Sequence, residues 1–216
     1  MLCWASASRS RRRADPMSQP HPSHYRRALL FTGHMVDLPS RPRPRFPPRM
    51  ETAAAHEIAA AMDCKLEHVD VGDVVAISAL ARGGDILFQE HAAGRRLACY
   101  IVLPFEPSVF VEKSVAGVAT GDWEARFWRI WNRTPAEQRE VMSVPADDNP
   151  YAACNQRQLE IAQQRADEIA LIALSDGTAD GAGGTQDLIE RVRASGGQAD
   201  VIDAKRLLAL TANTDR

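Results

Sequence analysis

The stretch from Val74 to Ala92, VVAISALARGGDILFQEHA, constrains the fold more tightly than any other part of the chain. Val74, Val75, Ala76 and Ile77 form an unbroken apolar run, the pattern of a strand covered on both faces in a parallel sheet. A turn begins at Ser78. Gly83 and Gly84 remove two β-carbons where the backbone must bend, Asp85 stands where a helix N-cap is expected, and Ile86, Leu87 and Glu90 continue a helical register. A glycine turn of this kind gathers backbone N–H groups at the positive end of a helix, where a phosphate or carboxylate binds well. It also serves as a tight strand-to-helix connection that binds nothing, and taken alone it leaves both readings open.

The pattern recurs near the end of the chain. Ile169 to Leu174 (IALIAL) reads as a second buried strand, Ser175-Asp176-Gly177 turns the chain, and Gly181 to Thr185 (GAGGT) leads into a helix over Gln186 to Ala194. Thr185 adds a hydroxyl donor to the second turn. Two such turns in a chain of alternating strand and helix signals point to crossover connections and a parallel sheet.

The other signals fit that scheme. Strands are expected at Arg27 to Met35, Leu97 to Pro104, Arg139 to Val144 and Ala199 to Asp203. Helices are expected at Glu51 to Met62, Ser108 to Ser114, Tyr151 to Ala166 and from Ala204 onward. Asp122 precedes the aromatic helix WEARFWRIW, in which Trp123, Phe127, Ile130 and Trp131 share one face and Trp128 lies off it, as a core stripe with one residue left for a partner surface. On the helix from Tyr151, one face carries Tyr151, Asn155, Leu159 and Ala162.

After the first strand and its Thr32-Gly33-His34 turn comes LPSRPRPRFPPRM, whose five prolines exclude a helix or central strand. Arg41, Arg43, Arg45 and Arg49 on this loop would leave the carboxyl edge of a parallel sheet, where arginines can clamp phosphate bidentately; for any single arginine a solvated basic loop or a docking strip is the more ordinary reading.

At 216 residues the chain suits one α/β domain with short tails. The expected architecture is a doubly wound, mostly parallel sheet of about five or six strands flanked by helices. It spans residues 26–208, between a polar, proline-bearing tail at 1–25 that is expected to be disordered and a frayed C-terminus at 209–216. Met17 is an alternative start to Met1. A formal charge of −2 gives no reason to expect nucleic acid as a bulk electrostatic partner. No apolar run reaches membrane-spanning length, and the N-terminal basic residues lack the apolar core of a secretory signal, so a cytoplasmic protein is expected. Cys3, Cys64, Cys99 and Cys154 are widely spaced, as reduced thiols rather than a disulfide framework or structural zinc site. His34, Asp37, Glu90 and His91 show no metal-ligand spacing, and neither a P-loop nor a nucleophile elbow is present.

The stretch ISALARGGDILFQEHA resembles the S-G-x-x-x-G-x-D strand-turn-helix of the SLOG superfamily, the Rossmann-like group that includes the DprA and LOG proteins. YAACNQRQLEIAQQRADEIALIALSDGTADGAGGTQDLIERVRASGG resembles the second half of its YpsA-like branch: an Asn-bearing helix, an apolar strand, Asp-Gly, then Gly-Gly-Thr. The likeness covers roughly residues 27 to 203 and implies a Rossmann-like fold that binds a nucleotide or nucleotide-derived ligand. Position by position it implies Gly33 in the first-strand turn; Ser78, Gly83, Gly84 and Asp85 in the second motif; Asn155 on the helix; and Asp176, Gly177, Gly183, Gly184 and Thr185 in the last. His34 joins them as a hydrogen-bonding residue beside Gly33.

Two positions depart from the pattern. Ala79 replaces the usual motif glycine. The LOG phosphoribohydrolases carry a glutamate three residues after the motif threonine, where this chain has Leu188; Glu190 lies two positions further, about 200° around the helix. The expectation is therefore a ligand sensor without catalytic or metal-binding residues and with no cofactor beyond the nucleotide-like ligand. It would signal to an effector protein, with room for a homo-oligomer. A nucleotide N-glycosidase using Glu90 or Glu190, and a non-catalytic interaction module working through Trp128 and the arginine-proline loop, remain the alternatives.

Overall fold

A computed structural model describes residues 23–145, 148–178 and 181–212. The expected tail therefore lies outside the described residues up to position 22, as do residues 213–216. The elements run β1 (Tyr25–Gly33), α1 (Glu51–Leu66), β2 (Val74–Ser78), α2 (Gly84–Gly94), β3 (Ala98–Leu103), α3 (Pro107–Phe110), α4 (Trp123–Arg133), β4 (Arg139–Val141), α5 (Pro150–Arg165), β5 (Ala166–Ser175), α6 (Thr185–Ala194), β6 (Gln198–Asp203) and α7 (Ala204–Ala212). Short 3₁₀ turns occur between them, and α3 continues into a π-helical turn at Val111–Val115.

The strands form one six-stranded, all-parallel sheet in the order β4-β3-β2-β1-β5-β6. The chain steps outward from β1 through β2 and β3 to β4, then returns to place β5 on the other side of β1. Gly33 pairs with Leu174 where the two carboxyl ends meet. Crossovers of one hand put helices on one face for the outward steps and on the opposite face for the return, so the crevice beside β1 and β5 is the topological switch point where open α/β sheets take ligands.

The period of two along the strands divides the core accordingly. Leu29, Phe31, Val74, Ala76, Ile101 and Leu103 face one layer, with Ile58 and Met62 of α1, Ile86 and Phe88 of α2 and Leu207 of α7. Ala28, Leu30, Val75, Ile77, Tyr100 and Val102 face the other, with Ile161 and Ala162 of α5 and Leu188, Ile189 and Val192 of α6. This is why β1, β2 and β5 read as continuous apolar runs: a helix layer covers each face.

The aromatic stripe of α4 docks as expected, with Trp123, Phe127 and Trp131 buried and Trp128 37% exposed. Arg126 lies 4.1 Å from the Trp123 ring and forms ion pairs with Glu51 of α1 and Glu90 of α2. The frayed C-terminus expected from 209 is helical to Ala212.

Candidate functional site

The loops at the carboxyl ends of β1, β2, β3 and β5 and the amino-terminal turns of α5 and α6 enclose a cavity of about 770 Å³. That is room for a nucleotide-sized molecule. Gly33, His34, Asp85, Asn155, Gly183, Gly184 and Thr185 line it, whereas Ser78, Gly83, Gly84, Asp176 and Gly177 do not.

The first glycine turn is sealed. Gly83, not Asp85, is the N-cap of α2; its φ of +96° is a backbone conformation that suits glycine, and an added Cβ would come within 2.8 Å of the Val36 amide nitrogen. The Gly84 N–H donates to the His34 carbonyl at 3.4 Å, and the Ile86 N–H to the Ala81 carbonyl at 3.4 Å. A Cβ on Gly84 would meet the Phe31 ring at 2.8 Å. Both glycines therefore admit the β1 strand and its loop, and a β-branched residue at Gly84 would disturb the fold itself instead of reporting on a ligand. Ser78 is fully buried, with its hydroxyl donating to the Ala79 carbonyl and accepting from Gln89 Nε2 at 2.9 Å. Asp85 occupies the second position of α2 and turns its carboxylate back to accept from the Ala81 N–H at 3.1 Å. Burial pushes its pKa up to about 7 against that hydrogen bond.

The second turn is open. Asn149 caps α5 by accepting from the Tyr151 and Ala152 N–H groups, and its amide donates to the Ala182 carbonyl at 2.9 Å. Six residues on, Asn155 donates to the Gly184 carbonyl at 3.3 Å and to Asp187 Oδ2 at 3.0 Å. Gly183, at φ +84°, lies so close to α5 that a Cβ would approach the Ala152 nitrogen to 2.6 Å. The turn is thus held flat against α5. No side chain caps α6 at Gly184, and Gly183, Gly184 and Thr185 border the cavity.

His34 bridges the ends of β1 and β5. It is 4% exposed, its backbone N–H donates to the Leu174 carbonyl at 3.1 Å, and the Asp176 N–H donates to its Nε2 at 2.9 Å. Burial would raise the Asp176 pKa, but hydrogen bonds from the Thr178 hydroxyl and N–H, with His34 and Arg45 nearby, hold it at about 2. Asp176 lines a smaller adjoining groove of about 380 Å³, shared with Arg41, Arg43, Arg45 and Lys205. Gly177 is exposed at φ +74° and donates its N–H to Ser175 Oγ. The arginine-proline loop is drawn over the sheet edge by Asp37, which accepts from the Arg45 and Phe46 N–H groups at 2.8 and 2.9 Å and pairs with Arg41 Nε at 3.2 Å. Arg41 and Arg45 border both spaces.

Three wall residues escaped the sequence reading. Arg82 is 4% exposed, donates from Nε to the Val36 carbonyl at 2.8 Å, and has its pKa lowered by burial, with Asp37 opposing. An arginine inside an otherwise apolar turn was the available signal. Cys154 and Gln158 line the cavity together with Tyr151 and Asn155, so the cavity face of α5 is 151, 154, 155 and 158, rotated from the expected 151, 155, 159 and 162. Leu159 and Ala162 pack in the core instead.

Glu90 and Glu190 lie away from the cavity, Glu90 held by Arg126 and Glu190 accepting from Gln186 one turn earlier on α6. Among the described residues, no group of three or more His, Cys, Asp or Glu side chains could hold a metal ion, and no helix is long and apolar enough to cross a membrane. Cys64, Cys99 and Cys154 are free thiols.

No family model matches the chain, and no curated protein matches it. Among solved structures the chain is similar to the X-ray structure of DNA processing protein A (DprA) from Streptococcus pneumoniae, at 12% identity and a TM-score of 0.34, over 86% of this chain and 61% of that one. The chain thus spans less than two thirds of the length of that protein.

Proposed function

We propose that the chain is a ligand-binding sensor whose cavity takes a nucleotide or nucleotide-derived molecule, with occupancy reported to a partner protein. One observation carries the reading: a nucleotide-sized cavity at the switch point, into which the uncapped amino terminus of a ten-residue helix opens. The first-turn N–H groups of α6 and the Thr185 hydroxyl supply donors for phosphate where the helix dipole favours negative charge. Asn155 fixes the turn, and Gly33 and His34 line the same cavity. Arg41 and Arg45, which line the cavity, can meet further phosphate oxygens, and in this reading the loop that carries them reports occupancy to the partner.

The test is mass spectrometry of the small molecules released from the purified native protein, together with thermal unfolding in a panel of nucleotides. A ligand at a hundredfold excess over its dissociation constant stabilises by about 2.7 kcal/mol through mass action. Release of an intact nucleotide and a matching rise in Tm are expected. A released base or sugar phosphate would instead indicate cleavage, and absence of both ligand and shift across the panel would overturn the reading.

A further inference from the structure

The inner wall of the cavity carries hydrogen-bonding capacity that the fold does not use. Gln158 of α5 is 3% exposed and lines the cavity. Its Nε2 donates to Cys154 Sγ at 3.4 Å, while the Cys154 thiol donates to the Val102 carbonyl at 3.4 Å. The thiol proton is thereby committed to Val102, so the sulfur accepts from the amide and the amide oxygen points elsewhere. Among the described residues, that buried Oε1 has no hydrogen-bond partner. Native interiors seldom leave such an atom unsatisfied, and a water or a ligand in the cavity can satisfy it.

Asp85 of α2 lies near the same thiol. It also lines the cavity, is 8% exposed, and lies close enough to Cys154 for its charge to be felt by the thiol. The Ala81 N–H is its hydrogen bond among the described residues, and no cation contributes to its electrostatic surroundings. A buried carboxyl without a cation stays protonated well above the usual range, here up to about 7, and a neutral carboxyl is both a donor and an acceptor. Asp85 and Gln158 thus both line the cavity beside Cys154.

We infer that Asp85 and Gln158 recognise the amidine edge of a nucleobase, an exocyclic amino group beside an unprotonated ring nitrogen, as found in adenine and cytosine. This rests on the nucleotide reading above and names the ligand class within it. The amino group has two N–H donors, one for a carboxyl oxygen of Asp85 and one for Gln158 Oε1, while the Asp85 hydroxyl donates to the ring nitrogen. Hypoxanthine and uracil present a carbonyl where Gln158 Oε1 can only accept; the neutral Asp85 carboxyl can place its proton to suit either edge, so the discrimination rests on Gln158. A site that hydrogen-bonds a particular group rejects the analogue lacking it strongly, because its own buried atoms are left unpaired.

Isothermal titration of the full chain with adenosine against inosine monophosphate, and with cytidine against uridine monophosphate, tests this directly. Each pair differs only in the amino or oxo group and its ring proton. The amino member of each pair is expected to bind at least tenfold tighter. Gln158→Met, nearly isosteric but without the acceptor, should reduce that preference to within about threefold while leaving the circular dichroism spectrum unchanged. Gln158→Glu, which restores an acceptor at the same place, should recover it. Equal affinities within both pairs, or a preference untouched by Gln158→Met, would overturn the inference while the nucleotide reading stands. If none of the four binds, that reading falls and the inference falls with it.

Discussion

The chain contains two strand-glycine-helix turns that look alike in sequence, and the structure gives them different work. At 83–84 the glycines admit the β1 loop: Val36, His34 and the Phe31 ring occupy the space a side chain would need, and the first N–H of α2 is taken by the His34 carbonyl. At Gly183 the same residue type admits the first turn of α5, and the helix end beyond it opens onto the cavity. At Gly83, Gly84 and Gly183 a close neighbour already accounts for the glycine. What separates the two turns is where the helix N–H groups end up, and that depends on which segment packs against the turn. Their carboxylates differ in the same sense. Asp85 has no cation and its pKa is raised by burial, whereas at Asp187 hydrogen bonds from Arg191 and Asn155 outweigh burial and lower it.

The largest effect should come from filling the sealed turn. Gly83→Val sets a β-branched residue at a φ of +96° and drives its Cβ toward the backbone of Val36, which has no flexible end to yield. Strain and overpacking together should cost roughly 3–5 kcal/mol in urea unfolding. Gly177→Val is the control: its φ is +74° but nothing lies within 4 Å of an added Cβ, so about 1 kcal/mol is expected. Similar losses for the two would mean that the neighbours at Gly83 relax and the turn is not sealed.

The carboxylates sharpen the contrast through pH. Asp85 binds its proton more tightly in the folded chain than in the unfolded one, so its contribution to stability is fully present below about 3.8, declines as pH rises, and levels off above about 7. Asp85→Asn cannot ionise and keeps an oxygen for the Ala81 N–H. It should match the native chain near pH 4 and exceed it by roughly 2–4 kcal/mol at pH 8. A native-to-variant difference that is flat between these pH values would show that Asp85 is not the source. Asp187→Asn should behave oppositely. Its folded pKa is depressed, so the stabilisation is present above the unfolded value and lost as pH falls through the folded one. A loss of about 1 kcal/mol at pH 7 that shrinks in acid is expected from the weakened Arg191 and Asn155 contacts.

How much of this was legible follows from the same two turns. The parallel sheet was readable because helix layers on both faces leave β1, β2 and β5 as uninterrupted apolar runs, a local property. Glycine turns were readable as turns. Their occupants were not, because Val36 lies 47 positions before Gly83 and Ala152 lies 31 before Gly183 in the chain. Asp85 read as an N-cap because Asp follows glycine at a helix start. The left-handed Gly83 moves the cap back by two residues and leaves the carboxyl inside. Gln158 carried no signal of its own, since a glutamine on an amphipathic helix reads as solvated until the rotation of that helix is known.

The smallest stability effect should accompany a large effect on binding, and it decides whether the open turn is a site. Thr185 is 5% exposed, begins α6 and borders the cavity, and no hydrogen bond within the described residues depends on its hydroxyl. Thr185→Val keeps the shape and the β-branch while removing the donor, so unfolding free energy should change by less than about 1 kcal/mol. If phosphate sits on the α6 terminus, the lost charge-assisted hydrogen bond should weaken nucleotide binding about tenfold, corresponding to roughly 1.4 kcal/mol. Inorganic phosphate measured beside an intact nucleotide locates the loss, because a defect shared by both lies at the phosphate, whereas one confined to the nucleotide lies deeper, toward Asp85 and Gln158. Unchanged affinity for both would make the second turn a connection like the first, and the difference between them would then be one of packing alone.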